Sequence, residues 1–305
     1  MSLNLPPGLT SRPVTAADVP AIIELIAACE LDADGVAEVD EGDLSFERPG
    51  FDEDVDTMLV FDHDELVAWA ELYRSRAEAD VRPSHRRRGI GSTLLQWSED
   101  RGYALGGAGI SQTKTDANAG ARELFLANGY EPGWTSWLIR MTLDEAPPAP
   151  EPPEGISIRH YRESDARDVH RLIDAAFCEW PGREPEPYEV WVSMITAHQA
   201  FSPELSPLAF DGEQLVGAVV AHDYPEADEG WISQLATKAT HRRRGIAQAL
   251  LRTAFAGFRE RGRTTAGVST DSRTGALGLY EKVGMRVVRQ YTRYTKRLKR
   301  TEEKT

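Results

Sequence analysis

The 305-residue sequence predicts an α/β fold, an α+β mixed sheet built twice in tandem. Three observations carry that reading. The segment His-Arg-Arg-Arg-Gly-Ile, followed by Gly or Ala, occurs at residues 85–91 and again at 241–247. Each copy follows a strand-like run and precedes an amphipathic helix. In the second copy Ile246, Leu250, Leu251, Ala254, Phe255 and Phe258 fall on one helical face. Strand and helix signals also recur in the same order in both halves, and the length suits two domains of roughly 150 residues.

The elements follow in order. Residues 9–14 read as a strand, and Thr15 to Asp18 offer a capping-box start to a helix carrying Val19, Ile22, Ile23, Leu25 and Ile26. The second half opens alike, with a strand at 156–159, then Ser164 and Asp165 before Val169, Leu172 and Ile173. Arg12 matches Arg159 and Asp18 matches Asp165. Residues 57–61 and 65–72 read as a hairpin, repeated by 207–210 and 214–220. A strand at 231–237 precedes the second basic loop. After each loop and helix comes a further strand, near 108–114 and near 265–270, then a short helix ending at Gly129 or Gly284. The Pro-rich stretch 144–155 reads as an exposed linker, leaving an N-terminal domain at 1–143 and a C-terminal one at 156–305.

Charge narrows the partners. Residues 1–150 carry 27 acids and 12 bases, the remainder 22 and 23. An acidic chain is a poor match for nucleic acid, whose phosphates need neutralising. Twelve acids crowd residues 30–56 against Arg48 alone. They read either as a solvated face or as a mouth that attracts a cationic substrate. No apolar run approaches the ~18 residues of a membrane span, and the N-terminus lacks a signal pattern, so a cytoplasmic protein is expected. Cys29 and Cys178 do not match between halves and read as small core residues. No metal is expected. A monomer and a homodimer are both compatible with the sequence.

The loops point to chemistry. A basic turn with a Gly, ending at a helix N-terminus, directs free backbone N–H groups and the positive end of the helix dipole at an anion. Arginines there add charge-assisted donors. Phosphate or diphosphate is the natural ligand.

The order of strand, helix, hairpin, strand, Arg-x-x-Gly-x-Gly/Ala loop, helix, strand and closing helix resembles the GNAT family of acetyl-CoA-dependent N-acetyltransferases, over both halves. Within it the tandem layout resembles mycothiol synthase-like acetyltransferases, which acetylate a cysteinyl amine on a pseudodisaccharide. The resemblance implies that the strands flanking the loop helix splay around the pantetheine arm. Acetyl-CoA would then contact Leu235, Ala236, Thr237, Arg242, Arg243, Arg244, Gly245, Ile246 and Ala247 in the second half. In the first half it would contact Val81, Arg86, Arg87, Arg88, Gly89, Ile90 and Gly91. Family members often carry an Asn that touches the cofactor, which Asn118 matches in the first half, where the second offers Ser272 and Arg273. The family's thiolate-protonating Tyr is matched by Tyr280, whereas the first half has Phe125. The second half is therefore expected to be catalytic and the first to bind without turnover.

The acceptor implied is a primary amine of a small molecule. An amine with pKa near ~10 must lose a proton before attack, and a thiolate leaving with pKa near ~8.5 can be helped by an acid. Charge growing on the carbonyl oxygen calls for a strand amide, expected near residues 235–237. The family's usual base position holds Trp231, so Glu229, of the same strand parity, is the expected base, with His222 and Asp223 as rivals. Glu41 is a substrate-contact candidate by the same resemblance. A non-catalytic acyl-CoA-binding sensor or scaffold is the rival of another class.

Overall fold

The computed structural model describes residues 5–298, apart from 40–43, 45–47, 49, 146–147, 149–150 and 181–182. Glu41 therefore lies outside the described residues. In chain order the first half forms β1 (Leu9–Arg12), α1 (Val19–Asp34), the single turn α2 (Glu53–Asp56), β2 (Thr57–Asp62), β3 (Glu65–Tyr73), β4 (Arg76–Val81), α3 (Ile90–Ala104), β5 (Gly109–Thr115), α4 (Ala119–Ala127) and β6 (Glu131–Thr142). The second half forms β7 (Ile156–His160), α5 (Ala166–Phe177), the short α6 (Tyr188–Trp191), β8 (Pro207–Asp211), β9 (Gln214–Tyr224), β10 (Glu229–Thr237), α7 (Ile246–Glu260), β11 (Thr265–Asp271), α8 (Leu277–Lys282) and β12 (Arg286–Arg297).

The chain folds as two compact units, one of residues 1–135 with 290–305, the other of residues 136–289. In the first, the strand order is β1-β2-β3-β4-β5-β12. Strand β12 runs antiparallel to β5, from Tyr291 opposite Thr115 to Arg297 opposite Gly109. In the second, the order is β7-β8-β9-β10-β11-β6, and β6 runs antiparallel to β11 from Thr142 opposite Thr265 to Ser136 opposite Asp271. Each sequence half thus gives its last strand to the other unit. The units differ in this way from the continuous stretches 1–143 and 156–305. Strand pairing is made by backbone groups common to all residues, so side-chain pattern does not say which sheet an end strand joins.

Periodicity explains the layers. Helix α7 buries Ile246, Ala249, Leu250, Leu251, Ala254, Phe255 and Phe258 against Val219, Ala221, Ile232, Ala266 and Val268 of the sheet. Full burial of one such large side chain is worth about 1.5–3 kcal/mol. Helix α5 puts Val169 and Ile173 on the other face with Trp191, Val220 and Ala236. In the first unit α3 buries Ile90, Leu94, Leu95 and Trp97, while α1 buries Ile22, Leu25 and Cys29.

The matched openings are built alike. Asp18 accepts from the Thr15 backbone N–H and hydroxyl and from Arg12. Asp165 accepts from the Arg162 backbone N–H and from Arg159. In each pair the guanidinium hydrogen bond holds the carboxyl below the usual carboxylate range.

Several described acids of the 30–56 run are engaged rather than free. Asp32 pairs with Arg86, Asp34 accepts from the Thr115 hydroxyl, the buried Asp56 pairs with Arg101, and Glu30 accepts the backbone N–H groups of Glu38 and Val39. No described helix is long and apolar enough to cross a membrane.

Candidate active site

The site is shaped where parallel strands part. Strands β10 and β11 pair only at Glu229 with Thr265, Gly230 with Ala266 and Trp231 with Gly267. Beyond Trp231 they diverge. At that point β10 carries a bulge, because its register against β9 slips between Ile232 and Gln234. A bulge leaves a residue out of the ladder and re-aims the strand. The matched strand β4 pairs with β3 without a slip.

The divergence opens a cleft of about 890 Å³. Leu235, Ala236 and Thr237 line it from β10, and Arg242, Arg243, Gly245, Ile246, Ala247 and Gln248 from the loop and the first turn of α7. Arg273, Thr274, Ala276 and Tyr280 close it from the other side. Arg243 and Gly245 both take positive φ, at 63° and 82°. Alternating handedness of this kind turns successive N–H groups into one concavity. Gly245 also caps α7 without any side-chain acceptor, so the helix's leading donors stay available to a ligand. A Cβ would disturb that conformation, since L-residues rarely hold it.

The side chains of the arginine triplet divide their work. Arg242 donates its Nε to the Thr237 carbonyl at 3.2 Å and makes a bidentate pair with Glu179 at 2.7 Å. That partner holds Glu179 below the usual carboxylate range. Arg244 turns away toward Asp211 at 3.5 Å, where His241 also lies. It does not line the cleft as Arg242 and Arg243 do. The first half repeats this: Arg86 pairs with Asp32, while Arg88 and His85 reach Asp62.

The first half's opening is smaller, about 460 Å³, and is lined by Val81, Arg86, Arg87, Gly89, Gly91, Asn118 and Phe125, among others. Ile90 is instead buried in the core of its unit, and Arg88 faces Asp62. Arg87 and Gly89 again take positive φ, 61° and 86°. Asn118 caps α4 by accepting the Ala121 N–H at 3.0 Å and so spends its carbonyl on the helix.

Tyr280 sits on α8 with 5% exposure, its ring packed in the unit's core. Burial pushes its phenol up to about 12, so it is protonated at neutral pH. Ser272 is exposed in the turn before α8 and does not line the cleft; its neighbours Arg273 and Thr274 do. Phe125 lies at Tyr280's matched position, buried against Tyr130 and Tyr294.

Glu229 is not brought to this cleft. It starts β10, eight residues before Thr237, and both carboxylate oxygens are taken by Arg140 at 2.6 and 3.2 Å. Asp223 is likewise held by Arg263 at 2.6 Å. His222, opposite Trp231, is buried and stacks on His198 with ring centroids 5.0 Å apart. Burial lowers its pKa. Its Nε2 faces the Ile195 carbonyl at 3.2 Å, so that nitrogen carries the proton and Nδ1 is the accepting one.

Sequence reasoning missed four features: the bulge, the Glu179 pair, the stacked Phe177 and Trp180 beside the cleft, and Lys114 within the first opening. None of the four is marked by the periodicity or spacing that places the elements.

The comparisons agree with the geometry. The model of the acetyltransferase (GNAT) family matches residues 19–130 and 167–285. The mycothiol acetyltransferase of Thermobispora bispora is 27% identical over 295 residues, covering 92% of this chain and 95% of the relative. That of Catenulispora acidiphila is 30% identical over 250 residues, 75% of this chain and 77% of the relative. The crystal structure of a GCN5-related N-acetyltransferase from Sphaerobacter thermophilus superposes with TM-score 0.82 at 32% identity, covering 97% and 98% of the two chains. A tandem GNAT protein from the clavulanic acid biosynthesis pathway, 16% identical, shares the fold at TM-score 0.74 over 95% of this chain and 99% of its own. The splayed strands, paired Arg-Gly turns and tandem layout therefore have one explanation: the chain belongs to the GNAT acetyltransferase family, as an N-acetyltransferase that uses acetyl-CoA.

Proposed function

We propose that the second half carries out the reaction, transferring an acetyl group from acetyl-CoA to a primary amine of a small molecule. One observation carries this: Tyr280 lines the same cleft as Thr237 and the Gly245 turn, while its counterpart in the first half is Phe125. In this reading the loop amides and the first turn of α7 hold the diphosphate, and the splay beyond Trp231 takes the pantetheine arm. The bulge between Ile232 and Gln234 frees a backbone amide at the parting point, suited to a carbonyl oxygen that gains charge as the amine attacks. Tyr280 donates to the departing sulfur. A phenyl ring packs equally well but has no proton to give, which supports assigning turnover to the second half alone.

A more specific acceptor is favoured by one finding. Similarity to the mycothiol acetyltransferase of Thermobispora bispora extends over 95% of that relative, both halves included. The cysteinyl-glucosaminyl-inositol amine is accordingly the first substrate to try. Free thiol released from acetyl-CoA should be followed across amines that include it, simple glucosamines and polyamines. Release above background with any amine, lost in Tyr280→Phe, supports the reading. Release that persists in that variant removes Tyr280 from the mechanism, and the absence of release with every amine favours an acyl-CoA-binding sensor.

A further inference from the structure

Besides Tyr280 against Phe125, the two clefts differ at a further matched pair of positions. In the first unit β4 and β5 pair only at Arg76 with Ser111 and Ala77 with Gln112, then part as β10 and β11 do. Beyond that point Asp80 on β4 and Lys114 on β5 reach across the gap, with Lys114 Nζ 2.6 Å from Asp80 Oδ1. Both line the first cleft, yet their side chains are only 16% (Lys114) and 15% (Asp80) exposed. Counting back five residues from His85 and from His241 matches Asp80 with Ala236. The sixth residues of β5 and β11 match Lys114 with Thr270. Neither Ala236 nor Thr270 carries a charge, and the Thr270 hydroxyl is turned to Thr274 at 2.9 Å on its own side.

We infer that the Asp80–Lys114 ion pair closes the first cleft to an acyl-CoA arm, so that the chain binds one coenzyme, in the second half. The inference rests on the reading that the second splay receives the arm. An arm threaded between β4 and β5 would have to part the pair. Pantetheine is made of amides, a hydroxyl and a thioester and offers no charge to replace either partner. A buried charge stripped of its partner is costly, so the pair outcompetes the arm. The first turn keeps its anion-binding shape, but the channel leading from it is bolted. Asp80 and Lys114 are thus determinants of which half accepts the coenzyme.

The test counts acetyl-CoA bound per full-length chain by native mass spectrometry and calorimetry, for the parent and for the double variant Asp80→Ala with Lys114→Thr. The variant should bind one acetyl-CoA more than the parent. Equal numbers in a variant whose near-ultraviolet dichroism is unchanged would overturn the inference. Hydrogen exchange of the parent supplies a second reading that needs no variant. Acetyl-CoA should protect amides 245–249 and leave 89–93 unchanged; protection of 89–93, or two coenzymes on the parent, overturns it. The inference lives on the difference between variant and parent, whereas the proposed function lives on the parent's own site, so the two fail separately.

Discussion

Removing one oxygen atom, in Tyr280→Phe, probes the chemistry with little disturbance of the fold. The ring is 5% exposed and packed in the unit's core, and burial is the sole influence raising its phenol to about 12. That lies above the ~8.5 of an ordinary thiol, so complete proton transfer from the phenol to a thiolate is uphill. In the proposed mechanism Tyr280 is therefore a hydrogen-bond donor that strengthens as charge builds on sulfur, not a full acid in the resting state. The expected loss falls at the low end of general acid effects, about 10²-fold in kcat, or about 2.7 kcal/mol. Affinity for acetyl-CoA should hold, since the proposed diphosphate grip lies in the loop. The melting temperature should stay within about a degree, because losing a hydroxyl that makes no strong bond is near neutral. Steady-state thiol release, with calorimetry for affinity, separates these. A kcat within threefold of the parent, or a loss that appears in affinity instead, would refute the reasoning.

Gly245→Ala forces a left-handed conformation at φ 82° on an L-residue, and with the nearest atom, Pro153 Cγ, 3.8 Å away the penalty is one of backbone and not of space. It should cost about 1–2 kcal/mol and weaken acetyl-CoA binding by about tenfold, read by calorimetry. Glu179→Gln removes the carboxylate that holds Arg242 and that would, in the proposed mechanism, compete with a diphosphate for it. Because the pair is exposed, stability should barely move, while acetyl-CoA affinity should rise by about two- to fivefold; an unchanged or weaker affinity counts against that competition. Asp165 has its pKa depressed in the folded chain by Arg159, so its stabilisation is present above ~3.9 and lost as pH falls below that value. The melting-temperature gap between Asp165→Asn and the parent should be full at pH 7 and close in the acid range; a gap independent of pH would show that the carboxylate charge is not what stabilises.

What the sequence settled alone was local. The Arg-Arg-Arg-Gly turn, the apolar face from Ile246 to Phe258 and the hairpin 57–61 with 65–72 follow from short-range sterics and periodicity, so both basic turns and their helices were legible. The Tyr280–Phe125 contrast was legible too, because the halves align residue by residue there. Tertiary structure decided what depends on distant partners. Glu229 has the right strand parity for a base, but Arg140, 89 residues away, claims its carboxylate. Arg244 belongs to the triplet, yet Asp211 draws it off the cleft. The exchange of β6 and β12 rests on backbone hydrogen bonds that carry no residue identity. Asp80 and Lys114 each look like ordinary surface charges until the splay sets them 2.6 Å apart in a partly buried gap, where low solvent access makes the pairing consequential.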